Sequence, residues 1–466
     1  MKDNCSGRFF VVVSLHMVTS HKKEPFLLFV GDFVSFLIAL WVMLVFRYGS
    51  IPSRELFISH IFAFSFLFII SIIVFFIAGL YDNQVLLTKK DLPTLILNAQ
   101  LLNSIIAVVL FYFFPFLGLT PKTNLFLFLV VSSIVIVIWR QWGTRHISFR
   151  RYQNAILLGS GEEMEELEKE IRRSSRYGMT IVSSFDLGKG DIRTEKLVSD
   201  IREQNASLIV IDLEHEKIRP ILSDLYSLIF SEIRFVNFSD LYADIFGRIP
   251  ISLVRHEWFL ENVSSSPHIV YDFLKRLMDI SLSLILGLLS LLLYPFVYLL
   301  IKIDDGGGLW SVQERVGRHN VSIQVVKFRT MSIANDRAEW NENNDNKVTR
   351  VGKFLRQTRI DELPQLWNVL KGDLSLIGPR PEFPLPVKEY AKEIPFYNVR
   401  HLIKPGLSGW AQIYHEDHPH HGDPDKIRKT REKLSYDLYY IKHRSFGLDI
   451  KIALRTLQIL LSRKGI

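Results

Sequence analysis

Leu277-Met-Asp279-Ile-Ser-Leu-Ser-Leu-Ile-Leu-Gly-Leu-Leu-Ser-Leu-Leu-Leu-Tyr294-Pro295-Phe-Val-Tyr-Leu-Leu-Ile301 is long and apolar enough to enter a lipid bilayer. Lys275 and Arg276 precede the run and Lys302 follows it, so both flanks are basic. A plain span would carry the later basic residues and carboxylates across the membrane. Pro295 lies inside the run, where its ring removes a helix hydrogen bond and favours a kink. The run therefore predicts a re-entrant helix over 277–301 that enters and leaves on one face. A plain span is the alternative.

Four more apolar runs crowd the first third of the chain: Phe26–Phe46, Leu56–Leu80, Leu95–Phe114 and Leu125–Trp139. A helix needs about 20 apolar residues to cross the hydrocarbon core, which the first three supply. The fourth extends through Trp142 and places Trp139 and Trp142 at interface depth. Lys2, Arg8, Lys22 and Lys23 in the tail, Lys89 and Lys90 in the second connection, and Arg140, Arg145, Arg150 and Arg151 at the exit fall on one side. Only Arg47, Arg54 and Lys122 fall on the other, so the tail and everything after residue 150 are predicted to be cytoplasmic. Phe9–Val18 could be a signal-peptide core, but it is short, contains His16 and lacks an A-x-A-like site. It reads as a cytoplasmic tail.

The composition agrees. Of 466 residues 48% are hydrophobic and 22% charged, and the mean hydropathy is +0.17. That length allows roughly three domains. One Cys, 25 Gly and 18 Pro exclude disulfide, collagen-like and low-complexity chains. The lone Cys5 suits a reducing compartment. A net charge of +8 fits nucleic acid, anionic lipid or a phosphorylated substrate, and the apolar runs decide for the membrane and against nucleic acid.

Residues 150–265 change character. Ala155–Leu158, Thr180–Phe185, Leu208–Asp212 and Arg234–Phe238 read as strands, and Glu162–Arg173 and Thr194–Gln204 as helices. This alternation predicts a parallel, Rossmann-like α/β module. Gly159-Ser160-Gly161 sits where a dinucleotide fold places its phosphate loop, but the third glycine position is Met164. Glu162, Glu163, Glu165 and Glu166 at the same helix start would repel a pyrophosphate. A structural or regulatory module is the reading. Tyr271-x-x-x-Lys275 has a dehydrogenase spacing but abuts the apolar run and reads as chance. Asp32 lies inside the first span, where helix pairing weighs at least as much as chemistry. Asn98, Gln100 and Asn103 read as interhelical hydrogen bonders.

The strongest chemical signal is Arg356-Gln-Thr-Arg-Ile-Asp361-Glu362-Leu-Pro-Gln-Leu-Trp-Asn-Val-Leu370. Leu363, Leu366, Trp367 and Leu370 recur with helical spacing, so a helix is predicted to begin near the Asp-Glu pair, with Pro364 in its first turn. Carboxylates at such a positive helix end are favoured as anions. A pair so placed can hold Mg²⁺, and one member can attack phosphorus. Lys327-Phe-Arg329, Arg350, Lys353, Arg359 and Pro379-Arg380-Pro381 surround it with the cations that phosphoryl transfer needs.

Lys275-Arg276…Asp279, Gln313-Glu-Arg-Val-Gly317, Lys327-Phe-Arg-Thr-Met331, Asp361-Glu-Leu-Pro-Gln365, Leu370-Lys-Gly-Asp-Leu-Ser-Leu-Ile-Gly-Pro-Arg-Pro381 and Lys404-Pro-Gly-Leu-Ser-Gly-Trp410 follow in this order. Together they resemble the bacterial sugar transferases, monotopic polyprenyl-phosphate glycosyl-1-phosphate transferases, over about residues 270–460. The preceding spans and α/β module resemble the long form of that family.

The resemblance implies a membrane α plus α/β fold. Its parts would be a tail and four-helix transmembrane bundle over 1–149, a Rossmann-like cytoplasmic module over 150–265, and a phosphoglycosyl transferase catalytic domain over 266–466. It also implies an enzyme of the bacterial inner membrane that moves a sugar-1-phosphate from a UDP-sugar to undecaprenyl phosphate and releases UMP, priming exopolysaccharide, capsule or O-antigen synthesis. Asp361 matches the nucleophile of a covalent phospho-sugar intermediate, and Glu362 its partner, the two holding Mg²⁺. Lys327, Arg356 and Arg380 match the phosphate-contacting cations, and Arg329 shares the Lys327 motif.

Three departures stand out: Tyr294-Pro295 replaces the family's Ser-Pro, Asp304-Asp-Gly-Gly-Gly308 replaces a Gly-Pro turn, and His415-Glu-Asp-His-Pro-His-His-Gly-Asp423 is unusually rich in histidine. That loop reads as solvated rather than metal-binding. Phe446–Leu461 is amphipathic and offers, with the extra module, a surface for a membrane or a homodimer. UDP-glucose, UDP-galactose and N-acetylhexosamine donors all stay open. A membrane-anchored nucleotide-sugar dehydratase and a non-enzymatic chain-length regulator are the rival readings.

Overall fold

In the computed structural model the described residues are 11–78, 80–81, 92–113, 122–146, 153–174, 177–189, 194–228, 233–263, 269–332, 348–414 and 425–462. Cys5, Lys89, Lys90, Arg150, Arg151, most of the 335–350 stretch and the histidine-rich His415–Asp423 loop lie outside them. The chain forms two compact units, Met1–Asp244 and Ile245–Ile466.

The N-terminal unit opens with α1 (Val11–Tyr48), α2 (Arg54–Ile77), α3 (Leu92–Phe113) and α4 (Lys122–His146). The segment Phe9–Val18, read as tail, belongs from Val11 onward to α1. Within α1 and α4, Phe26–Tyr48 and Asn124–Trp142 are each long and apolar enough to cross a membrane. The helices close on a phenylalanine core of Phe36, Phe64, Phe68, Phe75 and Phe128, with Phe36 stacked on Phe68 at 5.6 Å. Outward-facing Phe62, Leu101, Phe126 and Ile138 are exposed, the pattern of helices whose solvent is lipid. At Gly31 a Cβ atom would stand 1.8 Å from the Trp139 ring, so glycine admits the approach of α4.

Asp32 is fully buried and paired. Arg140 Nε donates to its Oδ1 at 3.0 Å and Arg140 Nη2 to its Oδ2 at 2.5 Å, while Tyr81 Oη donates to Oδ2 at 2.6 Å. Helix pairing, not chemistry, accounts for this carboxylate. Arg140 is therefore an interior residue rather than one of the exit cations, because its charge is neutralised within the bundle.

β1 (Gln153–Gly159), β2 (Met179–Asp186), β3 (Leu208–Ile211) and β4 (Arg234–Asn237) then form a parallel sheet in the order β2-β1-β3-β4. β1 and β3 are the most buried strands, as continuous apolar runs in parallel sheets are. The helices between and after the strands are α5 (Gly161–Arg173), α6 (Thr194–Glu203), α7 (Leu222–Ser227) and α8 (Phe238–Phe246). At the glycine loop Gly161 has φ +81°. Lys189 lies 3.5 Å from Glu165 and 3.1 Å from Asp186, so the acidic helix start has a lysine as counter-ion.

The C-terminal unit contains α9 (His256–Asn262), α10 (Ile269–Leu291), α11 (Tyr294–Asp305), the antiparallel strands β5 (Trp310–Val316) and β6 (Ser322–Phe328), α12 (Arg350–Gln357) and α13 (Gln365–Lys371). After them come β7 (Ser375–Ile377), α14 (Pro384–Glu393), β8 (Gly406–Ser408), α15 (Trp410–Tyr414), α16 (Lys426–His443) and α17 (Phe446–Ser462), with β7 and β8 parallel. The segment after Phe246 is held within this unit: Trp410 Nε1 donates to Gly247 O at 2.6 Å and Arg248 pairs with Glu432 at 2.9 Å.

α10 and α11 meet at 54°. The break falls at Leu292–Leu293, and Pro295 sits in the first turn of α11. The expected mid-helix kink is thus a start of a new helix, where proline's missing N–H costs no hydrogen bond. Tyr294 anchors the corner by packing edge-on against Trp310 and Phe328 and accepting a 3.0 Å bond from Trp367 Nε1. Leu288, Leu289, Leu292, Phe296, Leu299 and Ile303 remain exposed along the outer side.

Both ends of this hairpin are tied by polar groups to the same α/β core. At the entry, Lys275 Nζ donates to Ile377 O at 2.9 Å and to Asp449 at 2.9 Å, and Asp279 accepts from Ser375 Oγ and Leu376 N. Tyr271 also donates to Asp449, so the Tyr-x-x-x-Lys spacing serves a buried carboxylate on α17. At the exit, Asp304 accepts from Val351 N at 2.9 Å and Asp305 from Arg329 at 2.5 Å.

Candidate active site

β6 carries Lys327 to the site, and its position follows from one side chain on α13. Asn368 Oδ1 accepts from Val326 N at 3.1 Å and its Nδ2 donates to Gln324 O at 2.7 Å, clamping strand to helix. The Asp-Glu pair lies on a 3-10 turn, Ile360–Glu362, entered through Arg359 at φ +56°. The helix expected to start at the pair starts later, at Gln365, with Pro364 in the N-cap position. Local charges and burial, not a helix end, therefore decide how the two carboxyls ionise.

They ionise differently. Burial alone would raise Glu362, but Arg380, Lys327 and Arg359 overcome it and hold the group far below the usual carboxylate range. Its Oε1 takes Lys327 Nζ at 3.0 Å, Arg380 at 3.2 Å and Arg359 at 3.8 Å. Asp361 is 7% exposed, and its Oδ1 is buried with no hydrogen-bond partner among the described residues. Burial raises its pKa above the ordinary value. Lys327 opposes that shift and the Glu362 charge reinforces it. An unpaired, poorly solvated carboxylate is a strong nucleophile whenever it is ionised.

The Asp361 carboxyl should then titrate above the ordinary aspartate range. Lys327→Met removes a lowering influence, so that titration should move further up in pH. NMR titration of the side-chain carboxyl in the two proteins tests both, and an unmoved Asp361 signal in the variant would show that Lys327 does not govern it.

Of the cations expected from the sequence, Lys327 and Arg380 converge on Glu362, and Arg356 stands one turn before the pair with its Nε donating to Thr330 Oγ1 at 2.9 Å. Arg329 does not join them. It is 4% exposed and paired with Asp305 at the exit of α11. β6 ends at Phe328, so the alternation that aims Lys327 no longer governs Arg329. A Cβ on Gly307 would stand 1.5 Å from its guanidinium, which accounts for glycine in the Asp304–Gly308 turn.

Arg315 was missed as a site residue. The register pairs Gln313 with Val325 and Arg315 with Ile323, so alternation sets Arg315, Val325 and Lys327 on one face of the hairpin. That face lines a cleft with Glu362, Gln365, Arg380, Pro381, Gly406 and Leu407. Burial and the charge of Arg380 bring the Arg315 pKa down to about 10. Arg380 is held from behind by Arg400, which donates to its carbonyl at 3.0 Å and pairs with Asp437 at 2.9 Å. Burial depresses the His401 imidazole to about 3, which keeps it neutral.

The two remaining motifs interlock through glycine. Gly378 N donates to Ser408 O at 2.8 Å and Gly406 N to Pro379 O at 2.9 Å. A Cβ on Gly406 would lie 2.1 Å from Gly378 N, and one on Gly409 2.4 Å from Gly378 O. Backbone-to-backbone contact therefore sets Arg380 opposite Glu362.

The family profile described as Bacterial sugar transferase matches residues 270–463. A UDP-N-acetylgalactosamine-undecaprenyl-phosphate N-acetylgalactosaminephosphotransferase of Aeromonas hydrophila is 38% identical over 278 residues, 59% of this chain and 61% of that protein. A UDP-galactose-lipid carrier transferase of Erwinia amylovora is 28% identical, the match covering 67% of this chain and 69% of that protein. A UDP-glucose:undecaprenyl-phosphate glucose-1-phosphate transferase of Caulobacter vibrioides is 36% identical over 198 residues, 42% of this chain and 73% of that protein. With the carboxylate pair, its cations and the profile falling in the same unit, the chain belongs to the bacterial sugar transferase family.

Proposed function

We propose that this protein transfers a sugar-1-phosphate from a UDP-sugar to undecaprenyl phosphate, releases UMP, and so primes the synthesis of a bacterial surface polysaccharide. The observation that carries the reading is a buried, unpaired Asp361 oxygen beside a glutamate locked by three cations. An Asp361 oxygen forms a bond to the sugar-bearing phosphorus as the bond to UMP breaks. An oxygen of undecaprenyl phosphate then attacks that phosphorus and Asp361 leaves. Attacking and departing groups are all anionic oxygens, so no proton needs to move. A site rich in Arg and Lys fits such chemistry, which asks for charge compensation rather than a general base.

A divalent cation, Mg²⁺ by preference, fits the pair. Mg²⁺ takes one or two carboxylates and completes its shell with substrate phosphates. Asp361 Oδ1 lacks a partner among the described residues, and Glu362 Oε2 is left when Oε1 is taken by Lys327 and Arg380. The ion would neutralise the donor's diphosphate. Purified protein given undecaprenyl phosphate, Mg²⁺ and a panel of UDP-sugars should release UMP only with the lipid present, and EDTA should abolish release. UDP in place of UMP, or full turnover in EDTA, would overturn the corresponding part.

The reading includes a membrane arrangement. From Leu277 to Leu291 α10 rises about 21 Å, short of the ~30 Å hydrocarbon core. Both hairpin ends bond one α/β core, which supports a re-entrant element in the cytoplasmic leaflet. α1–α4 would form a four-helix transmembrane bundle, followed by a Rossmann-like module, with catalysis on the cytoplasmic face of the inner membrane. α17 would serve a homodimer.

A further inference from the structure

The cleft beside Glu362 contains two polar groups that the chemistry above leaves without a task. Gln365 is 5% exposed, its carboxamide nitrogen is buried, and it makes no hydrogen bond to any described residue. Arg315 stacks at 3.4 Å on the Phe383 ring. Its guanidinium donates to Gln313 Oε1 at 2.6 Å and to Pro381 O at 3.3 Å, with no carboxylate within ion-pair distance among the described residues. Lys327 and Arg380, by contrast, are already engaged by Glu362. A buried amide without a partner costs free energy unless something else completes it. A half-turn of its soft terminal torsion presents either its N–H or its C=O to the cleft.

We propose that Gln365 and Arg315 bind the phosphate that departs with the nucleoside, so that the cleft is the seat of UMP. The assignment rests on the reaction proposed above. In-line displacement sets the leaving oxygen opposite the attacking one. Asp361 does not line this cleft, whereas Glu362, Gln365, Arg315, Lys327 and Arg380 do. The sugar-bearing phosphorus thus meets Asp361, and the nucleoside phosphate lies beyond Glu362 among donors. Val325, Pro381 and Leu407 supply the apolar part of the cleft's lining. The lipid phosphate, entering after UMP has gone, does not use Gln365.

The test is titration of UMP into purified full-length protein, wild type and Gln365→Leu, with melting temperatures and KM values for donor and lipid measured on the same samples. Gln365→Leu should weaken UMP binding and raise the donor KM by about tenfold, the effect of one hydrogen bond to a charged group. The lipid KM and the melting temperature should stay unchanged. Gln365→Glu adds a negative charge and should weaken UMP binding further. Unchanged UMP affinity together with a lower melting temperature would make Gln365 a packing residue and overturn the assignment. A raised lipid KM with normal UMP binding would overturn it equally. In both cases the parent reaction stands, because wild type still binds and releases UMP. Wild-type protein that binds no UMP would overturn both.

Discussion

Asp361→Asn should reduce lipid-dependent UMP release by at least about 10⁴-fold, the scale on which loss of a covalent nucleophile is felt, while the protein melts no earlier than wild type. The stability half follows from the geometry. Asp361 Oδ1 has no hydrogen-bond partner to lose among the described residues, and burial already disfavours its charged form. Glu362→Gln should behave oppositely. It strips the counter-charge from Lys327, Arg380 and Arg359, and breaking such a cluster costs about 3 kcal/mol or more. Activity and melting curves of the two variants, measured together, separate the proposed nucleophile from the carboxylate that organises the cations. An Asp361→Asn protein that still turns over would remove the nucleophile from the mechanism.

Gly406→Ala should destabilise the C-terminal unit by about 3 kcal/mol, at the upper end for overpacking, and should lower activity along with stability. The added Cβ would meet Gly378 N at 2.1 Å and the carbonyl carbon of Ile377 at 2.6 Å, both backbone atoms that no rotamer change can move. β7 and β8 must part to admit it, and Arg380 follows two residues after Gly378. Gly308→Ala is the matched control, since a Cβ there meets nothing within 4 Å. Equal melting temperatures for the two variants would show that β7 and β8 separate without cost.

Buried strands and the carboxylate pair were legible in the sequence because their signals are local. Ala155–Leu158 and Leu208–Ile211 are continuous apolar runs, and β1 and β3 occupy them. Asp361 and Glu362 announce themselves by adjacency. What escaped depends on register or on pairing across long separations. Arg315 becomes a site residue only when Ile323 is known to lie opposite it. Arg329 sits two residues from Lys327, yet the strand ends between them and sends it to Asp305. Asp32 and Arg140 lie 108 residues apart, so charge counting along the chain assigns the arginine to a loop. The Pro295 break was legible as a break, but whether proline interrupts a helix or opens one depends on the residues packed at the corner.

The hairpin fastened at both ends to a single core has a mechanical consequence. Helices that cross the full bilayer adjust to its thickness by tilting, at a cost that grows with mismatch. A wedge held by Lys275 and Asp279 at its entry and by Asp304 and Asp305 at its exit has its depth set by protein bonds instead. Inserted in one leaflet, as proposed, it would add area there and none opposite, and so would do work against lateral pressure rather than against thickness. The height of Asp361 above the hydrocarbon would then be a property of the chain, constant while the membrane around it thins or thickens.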